Sequence, residues 1–144
     1  MSAMQTELPG SRVVDLFAGS GALGIEALSR GASHVTFVER AAPALRTLKA
    51  NLARLDVAAA QISIVRADAL EFALAAEPRA FDLGLADPPY HQGFAQELLR
   101  AFAARPFARW FWVEHEAAEN LPDIAGARTR TYGDTALTSI MAPE

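Results

Sequence analysis

The strongest constraint on how this 144-residue chain can fold is a hydrophobic period that switches back and forth along its length. Strand-like apolar runs fall at Arg12 to Phe17, His34 to Glu39, Ile62 to Arg66, Phe81 to Ala86 and Arg109 to Glu114. Helix-like runs fall between them at Ala22 to Arg30, Ala42 to Leu55, Ala69 to Ala76 and Phe94 to Ala104. In the second of these, Ala44, Leu45, Leu48, Leu52 and Leu55 are spaced to form one apolar face. Repeated strand-helix units imply a parallel sheet with helices on both faces, an α/β architecture. The tail departs from this. Arg128 to Tyr132 and Ala136 to Met141 are two strand-like runs joined through Gly133-Asp134 with no helix between, which predicts an antiparallel hairpin on the sheet edge.

The length suits one domain over residues 1–144, with 1–11 as a short lead-in, and 51% of the residues are hydrophobic, enough for a sizeable core. No continuous apolar run approaches the ~18 to 20 residues of a membrane span, and no basic start leads into an apolar core at the N-terminus. A soluble, cytoplasmic protein with no membrane partner is expected. There is no cysteine, so disulfides, thiolate nucleophiles and thiolate zinc sites are excluded, and three scattered histidines predict no metal centre. A net charge of −4 argues against a broad positive field for gripping nucleic acid. Any such contact is expected to come from a local patch or from something missing here.

Gly19-x-Gly21-x-x-Gly24 sits where the first strand gives way to a helix, the context in which a glycine pattern predicts a nucleotide-type ligand. Glu39 ends the next strand 20 residues after Gly19, where a carboxylate can accept from both ribose hydroxyls of a nucleoside cofactor. Asp68 follows the third strand. It can accept from an adenine amino group, cap the helix starting at Ala69, or do both. Ligands collect at the carboxyl ends of parallel strands, so Asp15, Gly19, Glu39, Asp68 and Asp87 are expected to converge on one crevice. The glycines alone leave NAD and S-adenosylmethionine both open.

Asp87-Pro88-Pro89-Tyr90 follows the fourth strand. A strand-end carboxylate, a stiff loop with outward carbonyls and an aromatic ring together suit a planar base with an exocyclic amine: the oxygens accept from NH2 while Tyr90 stacks. Other chemistry-bearing residues have plainer readings. His91 reads as a solvated loop residue with a lesser claim on substrate, and His34 and His115 as surface or edge residues. Trp110 and Trp112 read as core, and Glu114 and Glu116 as a solvated rim of the crevice.

Val14 to Ala32, with its Asp15-Leu16-Phe17-Ala18-Gly19-Ser20-Gly21-Ala22-Leu23-Gly24 core, then Val38-Glu39-Arg40, Asn51-Leu52 and Asp87-Pro88-Pro89-Tyr90, resemble the bacterial RsmD family over roughly Gly10 to Met141. The resemblance implies a Rossmann-like class I methyltransferase with a seven-stranded, mostly parallel sheet and a C-terminal antiparallel hairpin. It also implies S-adenosyl-L-methionine as donor and methylation of guanine N2 in 16S ribosomal RNA, with the small ribosomal subunit as partner; separately, a monomer is expected. Carried over residue by residue, Asp15, Phe17, Ala18, Gly19, Ser20 and Gly21 look like the cofactor loop. Glu39 and Arg40 look like the ribose side, Asp68 and Ala69 the adenine side, and Asp87, Pro88, Pro89 and Tyr90 the target-base motif, with Asp87 also facing the cofactor. Members usually carry a basic segment and a further helix before the first strand. Most of that segment is missing here, which bears on RNA binding more than on cofactor binding.

On this reading an amine conjugated with its ring is held by Asp87 and a loop carbonyl while it attacks a sulfonium methyl. Rival readings are a DNA adenine-N6 or cytosine-N4 methyltransferase, which could use the same tetrapeptide, and a non-catalytic cofactor-binding module. An NAD-dependent dehydrogenase would leave Asp87 to Tyr90 without a purpose.

Overall fold

In the computed structural model residues 8–143 are described, so residues 1–7 of the expected lead-in lie outside the described part. The chain runs β1 (Arg12–Leu16), α1 (Ala22–Ser29), β2 (His34–Val38), α2 (Ala42–Ala53), a single 3-10 turn (Ala59–Gln61), β3 (Ile62–Val65) and α3 (Ala69–Ala75). It continues through β4 (Phe81–Ala86), α4 (Phe94–Ala104), β5 (Ala108–Glu116), β6 (Arg128–Tyr132) and β7 (Thr135–Met141). One seven-stranded sheet has the order β3-β2-β1-β4-β5-β7-β6. The first five strands in that order pair in parallel, and β7 runs antiparallel to both β5 and β6.

Successive side chains on a strand point to opposite faces, so the sheet feeds two cores. On one face Val14, Leu16, Phe81, Phe111 and Ile140 pack with Ala69 and Ala73 of α3 and Leu98, Leu99 and Phe102 of α4. Phe102, Phe107 and Phe111 form a triangle with ring centroids 5.0 to 5.6 Å apart. Each such pair contributes about 0.5 to 1.5 kcal/mol beyond the area it buries. On the other face Val13, Val35, Phe37, Leu83, Leu85 and Trp112 pack with Ala27 of α1 and Leu45, Leu48 and Leu52 of α2.

The expected apolar face of α2 forms through Leu45, Leu48 and Leu52, but Leu55 lies past the helix and is exposed. Its amide donates to Leu52 carbonyl, a 3-10 turn that lifts the side chain off the sheet. The first strand stops at Leu16, because Phe17 turns into a left-handed conformation with φ 57°. β5 is longer than its apolar run, extending to Glu116, because β7 pairs with it from Trp110 to Glu116. The hairpin register sets Tyr132 against Thr135, leaving Gly133-Asp134 as a two-residue loop. Gly133 has φ 63°, the positive value a type II′ turn needs at its first loop position.

His115 corrects a sequence expectation: it is 2% exposed, not a surface residue. Its Nδ1 lies 2.8 Å from the Glu116 carbonyl oxygen and its Nε2 2.7 Å from Thr138 Oγ1, so the buried ring is satisfied at both nitrogens. His34 is half-buried, with Nε2 3.0 Å from Ser63 Oγ. Trp112 is core at 7% exposure and Trp110 packs half-buried beside it.

Candidate active site

The carboxyl ends of β1, β2, β3 and β4 open onto a cavity of about 570 Å³, within the size range of small-molecule sites. Phe17 and Gly19, Glu39 and Arg40, Asp68 and Ala69, and Asp87 to Tyr90 all line it. The structure therefore brings together the tips of four strands that the sequence marks separately.

The turn after β1 is shaped by close packing. Gly21 adopts φ 87°, and a Cβ on it would lie 2.3 Å from Leu48 Cδ1. A Cβ on Gly24 would meet Phe37 Cε1 at 2.3 Å and Val35 Cγ1 at 2.9 Å. Only glycine lets α1 start so close to β2. Ala18, Ser20 and Gly21 belong to this turn but are not part of the cavity wall, and Asn51 Nδ2 holds the Ser20 carbonyl at 2.9 Å.

Asp15 is not on the wall either. It is 1% exposed beneath the turn, and its Oδ2 accepts from the Gly24 amide at 3.0 Å, in the first turn of α1. Burial raises its pKa to about 8, against the lowering effect of the Gly24 amide and with the charges of Asp87 and Glu39 raising it further. Asp15 thereby ties the helix to the strand from beneath the cavity wall.

Glu39 is fixed by three backbone donors. Gly19 N–H donates to Oε1 at 2.8 Å, while Arg40 and Ala41 N–H donate to Oε2 at 3.0 and 2.9 Å. A carboxylate has about four acceptor positions, so the one left open is on Oε1. Asp68 caps α3, with Oδ1 accepting from Glu71 N–H at 2.9 Å, and it also lines the cavity. Its Oδ2 also pairs with Arg40 Nη1 at 3.2 Å.

The Asp87 loop is held from outside the cavity. The hydroxyls of Tyr90 and Thr135 share a hydrogen bond of 3.2 Å, and exposed His91 lies 3.4 Å from Glu116 Oε1. His91 and Gly93 end the loop with φ 65° and 73°. Glu114 is more than a solvated rim. β4 and β5 pair Ala86 with Val113, which sets Asp87 beside Glu114. Burial pushes the Glu114 carboxyl up, and a hydrogen bond with Asp87 and its negative charge push it further. Val38, Ala41, Ala67, Gln92 and Phe94 complete the wall. Phe94 packs on Phe17 with centroids 4.8 Å apart. Sequence reasoning passed over Phe94 because it reads as the first apolar residue of a helix.

Among the lining residues three are carboxylates, Glu39, Asp68 and Asp87, and only Arg40 is a full-time cation. Arg40 already pairs with Asp68. The wall therefore favours a cationic ligand over a pyrophosphate.

With this geometry, the family model described as Conserved hypothetical protein 95, the RsmD family, matches residues 1–141. The chain belongs to this family. A Bacillus subtilis protein provisionally named rRNA methyltransferase YlbH is 37% identical over 134 residues, covering 88% of this chain and 73% of that one. Ribosomal RNA small subunit methyltransferase D of Escherichia coli K12 is 32% identical over 117 residues, covering 79% of this chain and 58% of that one. The RsmD-family chain thus spans less than two thirds of the length of the latter relative. A crystal structure of a Haemophilus influenzae protein, provisionally described as a methylase, superimposes with a TM-score of 0.84 at 28% identity, covering 99% of this chain and 93% of that one. The Rossmann-like sheet with its reversed C-terminal hairpin is shared with that structure. Among the described residues no helix is long and apolar enough to cross a membrane, and no group of three or more acidic or histidine side chains is placed to hold a metal.

Proposed function

We propose that this chain transfers a methyl group from S-adenosyl-L-methionine to the exocyclic N2 of a guanine in 16S ribosomal RNA of the small subunit. The observation that carries the reading is the meeting of Glu39, Asp68 and the Asp87-Pro88-Pro89-Tyr90 loop in one net-negative cavity. The printed name of the E. coli relative, a small-subunit ribosomal RNA methyltransferase, supports the substrate class.

The residues fit the donor. Its sulfonium and amino groups are cationic, matching the carboxylate-rich wall, whereas a dinucleotide pyrophosphate would meet those same carboxylates. Moreover, the Gly24 amide in the first turn of α1, which could serve such a phosphate, is taken by Asp15. Glu39 would accept a ribose hydroxyl at Oε1, and Asp68 and Ala69 would border the adenine. When bound, the donor supplies an electrophilic methyl on sulfur.

The chain's own residues do the rest. Asp87 and a carbonyl of the Pro88-Pro89 segment accept the two N–H bonds of the target amine, localising its lone pair. Tyr90 stacks on the base and fixes its plane. Asp87 then takes the proton that the amine loses, and Glu114 sits beside it to share a hydrogen bond through the change.

The test is transfer of labelled methyl from S-adenosylmethionine to small ribosomal subunits lacking the modification, with naked RNA and DNA in parallel. Label recovered as N2-methylguanosine is the expected result. Label in N6-methyladenine or N4-methylcytosine of DNA replaces the substrate, and a folded protein that binds the donor yet labels nothing replaces the activity.

A further inference from the structure

We propose that the outer face of β6, carrying Arg128, Arg130 and Tyr132, is a contact surface for the single-stranded RNA that flanks the target base. The inference rests on the reading of the substrate as RNA and adds where the phosphates lie.

β6 is the edge of the sheet, pairs with β7 alone, and every one of its five residues is exposed. Alternation divides them into two faces. Thr129 turns toward the α3/α4 side, because its hydroxyl lies 2.7 Å from that of buried Thr138. Arg128, Arg130 and Tyr132 therefore share the opposite face. Side chains on one strand face are about 6.7 Å apart, so the row runs about 13 Å from Tyr132 to Arg128. Among the described residues neither arginine forms an ion pair. In register across β7, Glu114 and Glu116 lie two strands away, with about 10 Å between the backbones of β5 and β6. Tyr132 is 59% exposed.

Continuity with the site gives the row its direction. Tyr132 pairs with Thr135, and the Thr135 hydroxyl bonds the Tyr90 hydroxyl at 3.2 Å. A nucleotide whose base lies on Tyr90 thus has its neighbours within reach of this strand. The electrostatics require such a place. The cavity wall is net negative and the whole chain carries −4, so both repel the phosphates flanking an inserted base. Unpaired guanidiniums on the strand that leads away from the rim offset that repulsion, and an exposed tyrosine at its site end suits a stacked, unpaired base.

The experiment is fluorescence anisotropy of the full chain with an unstructured single-stranded RNA oligonucleotide across a salt series, comparing wild type, R128A/R130A and Y132A. Calorimetry with S-adenosylhomocysteine and circular dichroism accompany it. The expected result is about tenfold weaker RNA binding by R128A/R130A and a log-log salt slope shallower by about 1.4, that is about 0.7 for each lost phosphate contact. Cofactor affinity and the spectrum stay unchanged, and Y132A weakens binding with no change in slope. An unchanged RNA affinity and slope overturns the proposal, and if the arginine variant then self-associates, the arginines merely guard a sheet edge. An equal loss on duplex DNA overturns the single-strand assignment. Methyl transfer is scored separately: wild type that labels RNA while R128A/R130A binds it normally removes this inference alone, whereas RNA binding through β6 without labelling removes only the methyltransferase reading.

Discussion

The Tyr90 and Thr135 hydroxyls meet at 3.2 Å, tying the loop after β4 to the first residue of β7, 45 positions further on. The ring proposed to stack on the base therefore takes its orientation from the hairpin. Removing either hydroxyl, by T135V or Y90F, frees the ring at a cost of about 1 kcal/mol, or about fivefold in KM for the nucleic acid. Both changes together should cost no more than one, and T135S should restore the wild-type value. A double-mutant cycle on methyl transfer reads this, and additive losses would show that the two groups act apart.

Asp87→Ala is expected to lower methyl transfer by about 10² to 10³, the scale for losing one preorganised polar group at a reacting centre. Binding of S-adenosylhomocysteine should hardly change, because Glu39, Asp68 and the Gly19 turn remain. Calorimetry showing an equal loss of cofactor affinity would sink the assignment of Asp87 to the base.

Asp15 gives a pH signature. Its folded pKa is raised to about 8 from 3.8, so between those values the native state holds a proton that the unfolded chain has released. The Asp15 contribution to stability therefore falls as pH rises through that window, by up to about 1.4 kcal/mol per unit, and is fully present only below it. Asp15→Asn removes the titration. Urea midpoints measured from pH 5 to 8 should move steadily in favour of the variant relative to wild type, and parallel curves would contradict the raised pKa.

Asp68 carries two separable jobs. Asp68→Ala removes the cap on α3 and should cost about 0.5 to 2 kcal/mol of stability, while Asp68→Asn keeps an acceptor for the Glu71 amide and loses less. Both lose the charge that pairs with Arg40. Denaturant unfolding alongside cofactor titration separates the two: the stability order should be wild type, Asn, Ala, while affinity should fall similarly in both variants.

Gly24→Ala should cost about 1 to 3 kcal/mol, since the new methyl falls on the Phe37 ring and on Val35. Shortening the ring with Phe37→Leu in the same chain should recover part of that loss. If the single variant were as stable as wild type, the close packing of α1 on β2 would not be a constraint.

What the chain reveals before folding depends on how local the cause is. Period-2 and helical runs report burial of a residue's own side chain, so five strands, four helices and the hairpin can be read from Arg12 to Met141. Strand tips share one end of a parallel sheet, so Glu39, Asp68 and Asp87 could be placed together. Pairing with a distant strand leaves no local trace. His115 is buried because Thr138 and the β7 backbone cover it, and β5 runs to Glu116 because β7 lies alongside. Asp15 is legible as a strand-end acid, but its bond to the Gly24 amide nine positions away is not. Thr135 carries no motif, and the pairing of β7 with β5, which sets Thr135 against Glu116, brings it to Tyr90.

The sheet order also dictates a sequence of assembly. β2 to β5 can each find a parallel neighbour among strands already made, whereas β6 has none until β7 follows it and slips between β5 and β6. A chain emerging from its own synthesis therefore carries β6 as a loose, unpaired segment after the glycine turn, Glu39 and Asp87 can already be in place. The donor end of the cleft can mature first, and the rim that steadies Tyr90 closes last.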